Sequence, residues 1–302
     1  MTEVIRLLRG HHEPQEELAF HNLVGRLEAD TVEPTMVELG SFWGYYSMWL
    51  KRAIPSTRLI LVEPDAAHLA VGSENLALNQ MEAVCLHAAI GETHDATVQL
   101  TWESDGEAHA TRQVSIDGLM DELGLERIDL LLCDVQGAET AALLGASRAL
   151  AERRVRFLVI STHHHSISGE PLTHQRCMTI LRDASAHVIA EHSVAESCSG
   201  DGLIVASLDP RDVNMRVEVT IVRPRDSLFG ELEWDLAQLA ERASALEEWG
   251  TACRDAATAK EAELAAAYEL IALLRNMKVV RWTAWPRQLV YRARGALSRF
   301  RS

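Results

Sequence analysis

The segment Val37-Glu38-Leu39-Gly40-Ser41-Phe42-Trp43-Gly44-Tyr45-Tyr46-Ser47 sets a glutamate and two glycines, four apart, where an apolar run gives way to a turn. Glycine adopts backbone angles that side chains forbid. Gly40 can therefore close a strand sharply, and Gly44 can let the loop press on a ligand at the N-terminus of a following helix. This is the chemistry of a nucleotide-cofactor loop. Its spacing, E-x-G-x-x-x-G, departs from the dinucleotide pattern G-x-G-x-x-G and favours S-adenosylmethionine over NAD. Glu38, Gly40, Ser41, Gly44, Tyr46 and Ser47 are the cofactor contacts expected here.

A second group follows one strand later. Arg58-Leu59-Ile60-Leu61-Val62 ends at Glu63-Pro64-Asp65. In a doubly wound sheet, ligands bind beyond the carboxyl ends of the strands, and an acidic residue about 20 positions past the glycines accepts hydrogen bonds from ribose hydroxyls. Glu63 holds that position, with Pro64 beside it and Ala89 past the next strand.

The remaining candidates serve the acceptor. Ile128 to Cys133 reads as a central strand ending at Asp134, which is placed to touch either the cofactor's amino group or the acceptor. Glu139 opens the next helix, where the N-terminal dipole favours a carboxylate, so capping is its alternative role. Ser161-Thr162-His163-His164-His165-Ser166-Ile167-Ser168-Gly169 leaves the fifth strand with three adjacent imidazoles. Imidazole is basic and neutral near pH 7, so His163, His164 and His165 are candidate general bases, the plain alternative being exposed loop histidines. On an extended chain His163 and His165 share one side, and with Asp134 and Glu139 they form a candidate site for Mg2+ or Mn2+. His174 can approach from the next helix.

Positioning these residues takes an alternation of strands and helices. An amphipathic helix over residues 15–29, with Leu18, Asn22, Leu23 and Leu27 on one face, precedes the first strand and is expected to cover the cofactor site. Strands are expected at 36–39, 58–62, 84–87, 128–133, 157–161, 186–190 and 203–207, with helices starting near Tyr45 and Ala66. Added strands or a ribbon at 97–102 and 113–116 precede a short helix at 118–123, and the helix after Asp134 runs to about Leu150. The close connection of the last two strands fits an antiparallel pair. The fold class is α/β, a Rossmann-like sheet of about seven strands, mostly parallel with one antiparallel strand, plus a long C-terminal helix.

Four parts are expected: an N-terminal helical cap over 1–30, a catalytic domain over 31–210, a helical or coiled-coil segment over 226–277 and a basic amphipathic tail over 278–302. Heptad core positions fall on Leu236, Leu239, Ala243, Leu246, Gly250, Cys253, Ala257, Lys260, Leu264, Ala267, Ile271 and Leu274, and ten of the twelve are apolar. The segment either pairs as a coiled coil, giving a homodimer, or lies on the domain as a single helix.

The net charge is -15 across 302 residues, although the last 25 hold seven basic residues and no acidic one. So acidic a body repels nucleic acid. The tail, with Trp282, Trp285, Tyr291 and Phe300 among its arginines, suits an anionic membrane surface or docks on the acidic body. Five scattered cysteines without a C-x-x-C pair read as reduced thiols. Neither a signal peptide nor a membrane span is recognisable, which implies a cytoplasmic protein, peripheral to the inner face of the membrane if the tail binds lipid.

Residues 30–208 resemble the FkbM family of S-adenosylmethionine-dependent methyltransferases. The most specific part is Ile128-Asp129-Leu130-Leu131-Leu132-Cys133-Asp134-Val135-Gln136-Gly137-Ala138-Glu139 with Leu144-Gly145-Ala146, where the family shows I-D-x-x-K-x-D-V-E-G-A-E and L-x-G-A. Leu132 and Gln136 replace a frequent Lys and Glu, so roles tied to those positions lapse. Ala88 to Gly91 and Ser115-Ile116-Asp117 also look like the family. The resemblance implies O-methyl transfer to a hydroxyl of a sugar, polysaccharide precursor or related natural product. Leu273 to Asn276 with Val280 to Arg287 is similar to a tail, S-W-R-x-T-x-P-x-R, of glycosyltransferases and methyltransferases in bacterial polysaccharide assembly, which implies a cell-surface glycan or its lipid-linked precursor as the acceptor and peripheral contact of the tail with glycosyltransferases or the membrane. The competing reading is a catalytically degenerate module that recruits a glycan-assembly complex through its coiled coil and tail.

Overall fold

Ile128-Asp129-Leu130-Leu131-Leu132-Cys133 has almost no polar face, and all six residues are buried in the middle of a seven-stranded sheet. Such runs belong to strands covered on both sides. A computed structural model of the chain describes residue 6, residues 9–221 and residues 232–276. The expected tail at 278–302 lies outside the described residues. The chain divides into two compact units, Met1–Leu232 and Glu233–Ser302.

In the first unit the order is α1 (Pro14–Asp30), β1 (Thr35–Leu39), α2 (Tyr45–Ala53), β2 (Arg58–Glu63), α3 (Ala66–Leu78), β3 (Val84–His87), β4 (Ala89–Ile90), β5 (Ala96–Thr101) and β6 (Ala108–Val114). Then come α4 (Ile116–Glu122), β7 (Ile128–Cys133), α5 (Glu139–Leu144), α6 (Ser147–Ala151), β8 (Val155–Thr162), α7 (His165–Ser168), α8 (Thr173–Asp183), β9 (His187–His192) and β10 (Gly202–Ser207). The second unit is described as one helix, α9 (Leu232–Asn276).

The main sheet has the order β3-β2-β1-β7-β8-β10-β9, all parallel except β10, which runs against both its neighbours. A smaller sheet, β4-β6-β5, stands beside it. Alternate residues of each strand feed two cores. Val37, Leu39, Ile60, Val62, Leu131 and Cys133 face one core, while Met36, Leu59, Leu61, Leu130 and Leu132 face the other. Each large aliphatic side chain so buried contributes about 1.5–3 kcal/mol, which makes the sheet a rigid base for whatever lies at its edge.

Four local features differ from the sequence expectations. Helix α1 buries Ala19, Phe20, Leu23, Val24 and Leu27, while Leu18 and Asn22 face outward, because Phe20 supplies the larger apolar surface. The β6 strand begins at Ala108, in a polar stretch whose hydrogen bonds to β5 outweigh weak propensity. The helix after Asp134 breaks into α5 and α6 at Gly145, whose carbonyl accepts the Asp117 N–H at 2.9 Å and where a Cβ would lie 2.3 Å from the Gly91 carbonyl oxygen. Chain 163–169 is not extended but coils into α7. All five cysteines are free thiols. No helix among the described residues is long and apolar enough to cross a membrane.

Candidate functional site

Strand register builds the site. Leu39 lies level with Val62 on one side and Cys133 on the other, so the next residues, Gly40, Glu63 and Asp134, emerge side by side. They mark the point where the strand order reverses, which is where open α/β sheets bind ligands. A cavity of about 740 Å³ opens there, within the ordinary small-molecule range of about 300–1,000 Å³.

The glycine loop fits closely. Gly40 has φ +73°, and a Cβ on it would lie 1.7 Å from the Asp134 carbonyl oxygen, so only glycine lets β1 and β7 close together. The Gly40 N–H donates to the Val62 carbonyl at 2.9 Å. Glu38 reaches under the loop and accepts the Ser47 N–H at 3.0 Å, satisfying a free donor in the first turn of α2. Burial pushes its carboxyl up to about 7, against those hydrogen bonds. Glu63 accepts the Phe42 N–H at 3.0 Å and the Asp65 N–H at 2.9 Å. It thereby holds Phe42 at φ +38°, a conformation rarely adopted without such support. Burial raises its pKa as well.

Of the expected cofactor contacts, Glu38, Gly40, Ser41, Tyr46, Glu63, Pro64, Ala89 and Asp134 line the cavity. Gly44 and Ser47 do not. Gly44 is the left-handed cap of α2, and Ser47 is wholly buried behind the loop. The Ser41 hydroxyl is buried without a hydrogen-bond partner in the protein. A carboxylate accepts about four hydrogen bonds, so Glu63 keeps capacity after its two backbone donors.

At the other end of the cavity His163 sits between carboxylates. Its Nδ1 is 2.6 Å from Glu139 Oε1, and its Nε2 is 3.2 Å from Asp134 Oδ1 and 3.8 Å from Asp201 Oδ1. Burial favours the neutral ring, but Asp134 and Glu139 outweigh it and push His163 up to about 11. His163 is therefore an imidazolium at neutral pH, and the neutral general base expected of it is not what forms. Glu139 itself is fully buried, and its Oε1 also accepts the Gly137 N–H at 2.9 Å.

Two further expectations are corrected. His164 caps α7, its side chain accepting the Ser166 N–H, and the His165 ring packs tilted against it with 4.0 Å between ring centroids. Neither lines the cavity, because β8 stops at Thr162 and the chain turns helical before His165 can share a side with His163. The metal site expected from Asp134, Glu139, His163 and His165 does not assemble. His165 turns away into α7, and among the described residues no group of three or more His, Cys, Asp or Glu could hold a metal ion. His174 turns to Thr162 Oγ1 at 2.8 Å and to Glu191.

The cavity also holds residues the sequence reading missed. Asp201 lies one residue before β10, and because β10 is reversed with Gly202 level with Thr162, its leading end falls at the same edge as His163. Burial raises Asp201 from the ordinary carboxylate range. His12 and Glu13, just before α1, line the same end, so the N-terminal segment reaches the site with its leading residues rather than with the helix body. Burial and the neighbouring Glu16 hold Glu13 well above a normal carboxylate. At the Glu63 end, Ser104 from the β5–β6 connection donates to Asp65 through both N–H and hydroxyl at 2.9 Å, drawing the small sheet against the cavity.

Known proteins offer both distant and direct likenesses. A segment of 57 residues, 19% of this chain, is 51% identical to the AMB antimetabolite synthetase AmbE of Pseudomonas aeruginosa, and the match spans 3% of that protein's length. An O-methyltransferase from Bacillus cereus in complex with SAH superposes with a TM-score of 0.43 at 14% identity, over 69% of this chain and 90% of that one. The precorrin-6y C5,15-methyltransferase of Geobacter metallireducens gives 0.40 at 12% identity, over 62% and 86%. These superpositions are weak, and nothing about this chain's activity follows from them. The family match is direct: residues 27–187, more than half of the chain, fit the methyltransferase FkbM domain, and the chain belongs to that family of S-adenosylmethionine-dependent methyltransferases.

Proposed function

We propose that this cavity serves methyl transfer from S-adenosylmethionine to a hydroxyl of a sugar or related natural product. The observation carrying the reading is that one sheet edge sets the half-satisfied Glu63 carboxylate at one end of a cavity and the Asp134–His163–Asp201 group at the other. Bound there, S-adenosylmethionine would supply an electrophilic methyl on a sulfonium. The residues suit it. Glu63 has capacity for ribose hydroxyls, Pro64 and Ala89 offer apolar walls, and the unpartnered Ser41 hydroxyl with the exposed part of Asp134 can take polar groups of the methionyl end. The acidic lining, in which Glu38, Asp134 and Asp201 face one cation, His163, favours a positively charged ligand.

Displacement needs the acceptor oxygen in line at about 3 Å from the methyl carbon and a group to receive its proton. Asp134 and Asp201 can hold the hydroxyl and take that proton, and burial makes Asp201 a better base than an ordinary carboxylate. His163 holds Asp134 and, 3.8 Å from Asp201, offsets the charge of both. The segment shared with an antimetabolite synthetase supports a natural-product acceptor. The test is incubation of the purified chain with methyl-labelled S-adenosylmethionine and fractionated glycans and secondary metabolites. A product heavier by one CH2, labelled on oxygen, is the expected result, and label found only on nitrogen or carbon would overturn the assignment.

A further inference from the structure

Helix α9 keeps large apolar side chains in water. Leu246 is 67% exposed, Leu239 59% and Leu264 56%. With Ile271 and Leu274, also exposed, they fall on a single heptad seam, and such a seam is stable only against a second helix. Side-chain size and charge identify that helix. Reversed about residue 255, the seam sets Leu239 against Ile271, Ala243 against Ala267 and Leu246 against Leu264, large on large and small on small. Nearer the centre, Cys253 meets Ala257 and Gly250 meets Lys260. A parallel pair places no such demand, whereas an antiparallel pair of identical helices needs a seam that reads alike in both directions.

The charges agree. In a parallel pair two Lys260 ammonium groups would face each other in the seam. In the reversed pair each Lys260 stem lies over Gly250, which has no side chain, and its head is already turned to Glu263 at 2.7 Å. Helical side chains lean toward their own N-terminus, so across a reversed pair Arg254 of one copy inclines toward Glu261 of the other, twice by symmetry. We propose that α9 is the dimerisation element of this protein, pairing antiparallel with α9 of a second copy about a two-fold axis at residue 255.

The test uses the full chain and does not depend on the methyl acceptor. Light scattering at micromolar concentration should give the mass of a dimer, and a monomer would overturn the proposal. Register is then read with two variants, Leu246→Cys and Leu264→Cys, each in a chain carrying Cys253→Ser, with that parent as the control for other thiols. Positions 246 of the two copies would lie about 27 Å apart at 1.5 Å rise per residue, far beyond disulfide reach. Each variant alone should therefore give no oxidative link above the parent, and an equal mixture should give a covalent dimer. Links within each variant alone would mean a parallel pair, and no link in the mixture a different interface; either result overturns the proposal.

Discussion

Strand β8 carries a buried cation at each end, and the two are treated differently. Arg156, its second residue, is fully buried and uses every N–H it has: two bonds to Asp212, two to Asp30 and one to Thr31, all between 2.6 and 3.1 Å. Asp212 is closed in turn by Ser207 and Arg26. Nothing is left over, and Arg156 does not line the cavity described above. His163, immediately past the other end, holds two carboxylates and lies near a third, while Glu139 Oε2 stays without a hydrogen bond and Asp134 and Asp201 turn toward a cavity. A saturated ion cluster can only staple the fold. One with anionic capacity to spare, facing space, can bind and accept protons.

The largest effect that could break this contrast is on stability. Arg156→Met and His163→Gln should each destabilise the fold by about 3–5 kcal/mol, since each removes the cationic partner bonded to a buried carboxylate, Asp212 or Glu139. Only His163→Gln should also abolish methyl transfer, and denaturation paired with S-adenosylhomocysteine titration separates the two. Loss of cofactor affinity in Arg156→Met at a temperature where it is folded would erase the distinction.

Asp201→Asn sharpens the comparison inside the site. It should lower kcat by about a hundredfold or more, the usual worth of a general base, while leaving cofactor affinity within a few-fold. An unchanged kcat would remove Asp201 from the chemistry.

The two ends should also respond to opposite extremes of pH. Asp30, lowered to about 2 chiefly by its hydrogen bonds to Arg156, contributes stability that is present above its unfolded value of 3.8 and lost as pH falls through about 2. His163, raised to about 11 by Asp134 and Glu139 against burial, contributes fully below 6.5 and loses that contribution as pH rises through about 11. Melting temperature against pH should lose its acid slope in Arg156→Met and its alkaline slope in His163→Gln. Smallest of all, a chelator should leave turnover unchanged, because the expected ligands do not come together among the described residues; restoration by Mg2+ after such treatment would contradict that.

The sequence made one half of the site readable and not the other. Gly40, Glu63 and Asp134 end apolar runs, and parallel register fixes what ends such runs along one edge, so periodicity alone brought them together. The family resemblance added O-methyl transfer as the expected reaction. Asp201 follows a serine-rich loop and is placed by the reversal of β10, which was expected, but its register against β8 was not. His12 and Glu13 belong to no periodic element, and their place depends on tertiary packing. An extended chain would set His165 beside His163, but α7 coils there, and the charge of His163 depends on Asp134 and Glu139, which lie far from it in sequence.

Calorimetric titration of S-adenosylhomocysteine into the wild-type chain and into Glu63→Ala tests the central claim most directly. Micromolar binding to the wild type, weakened about 30–100-fold by loss of a charged acceptor for the ribose hydroxyls, is the predicted result. No heat of binding to the wild type, or equal affinity in the two proteins, would contradict the account.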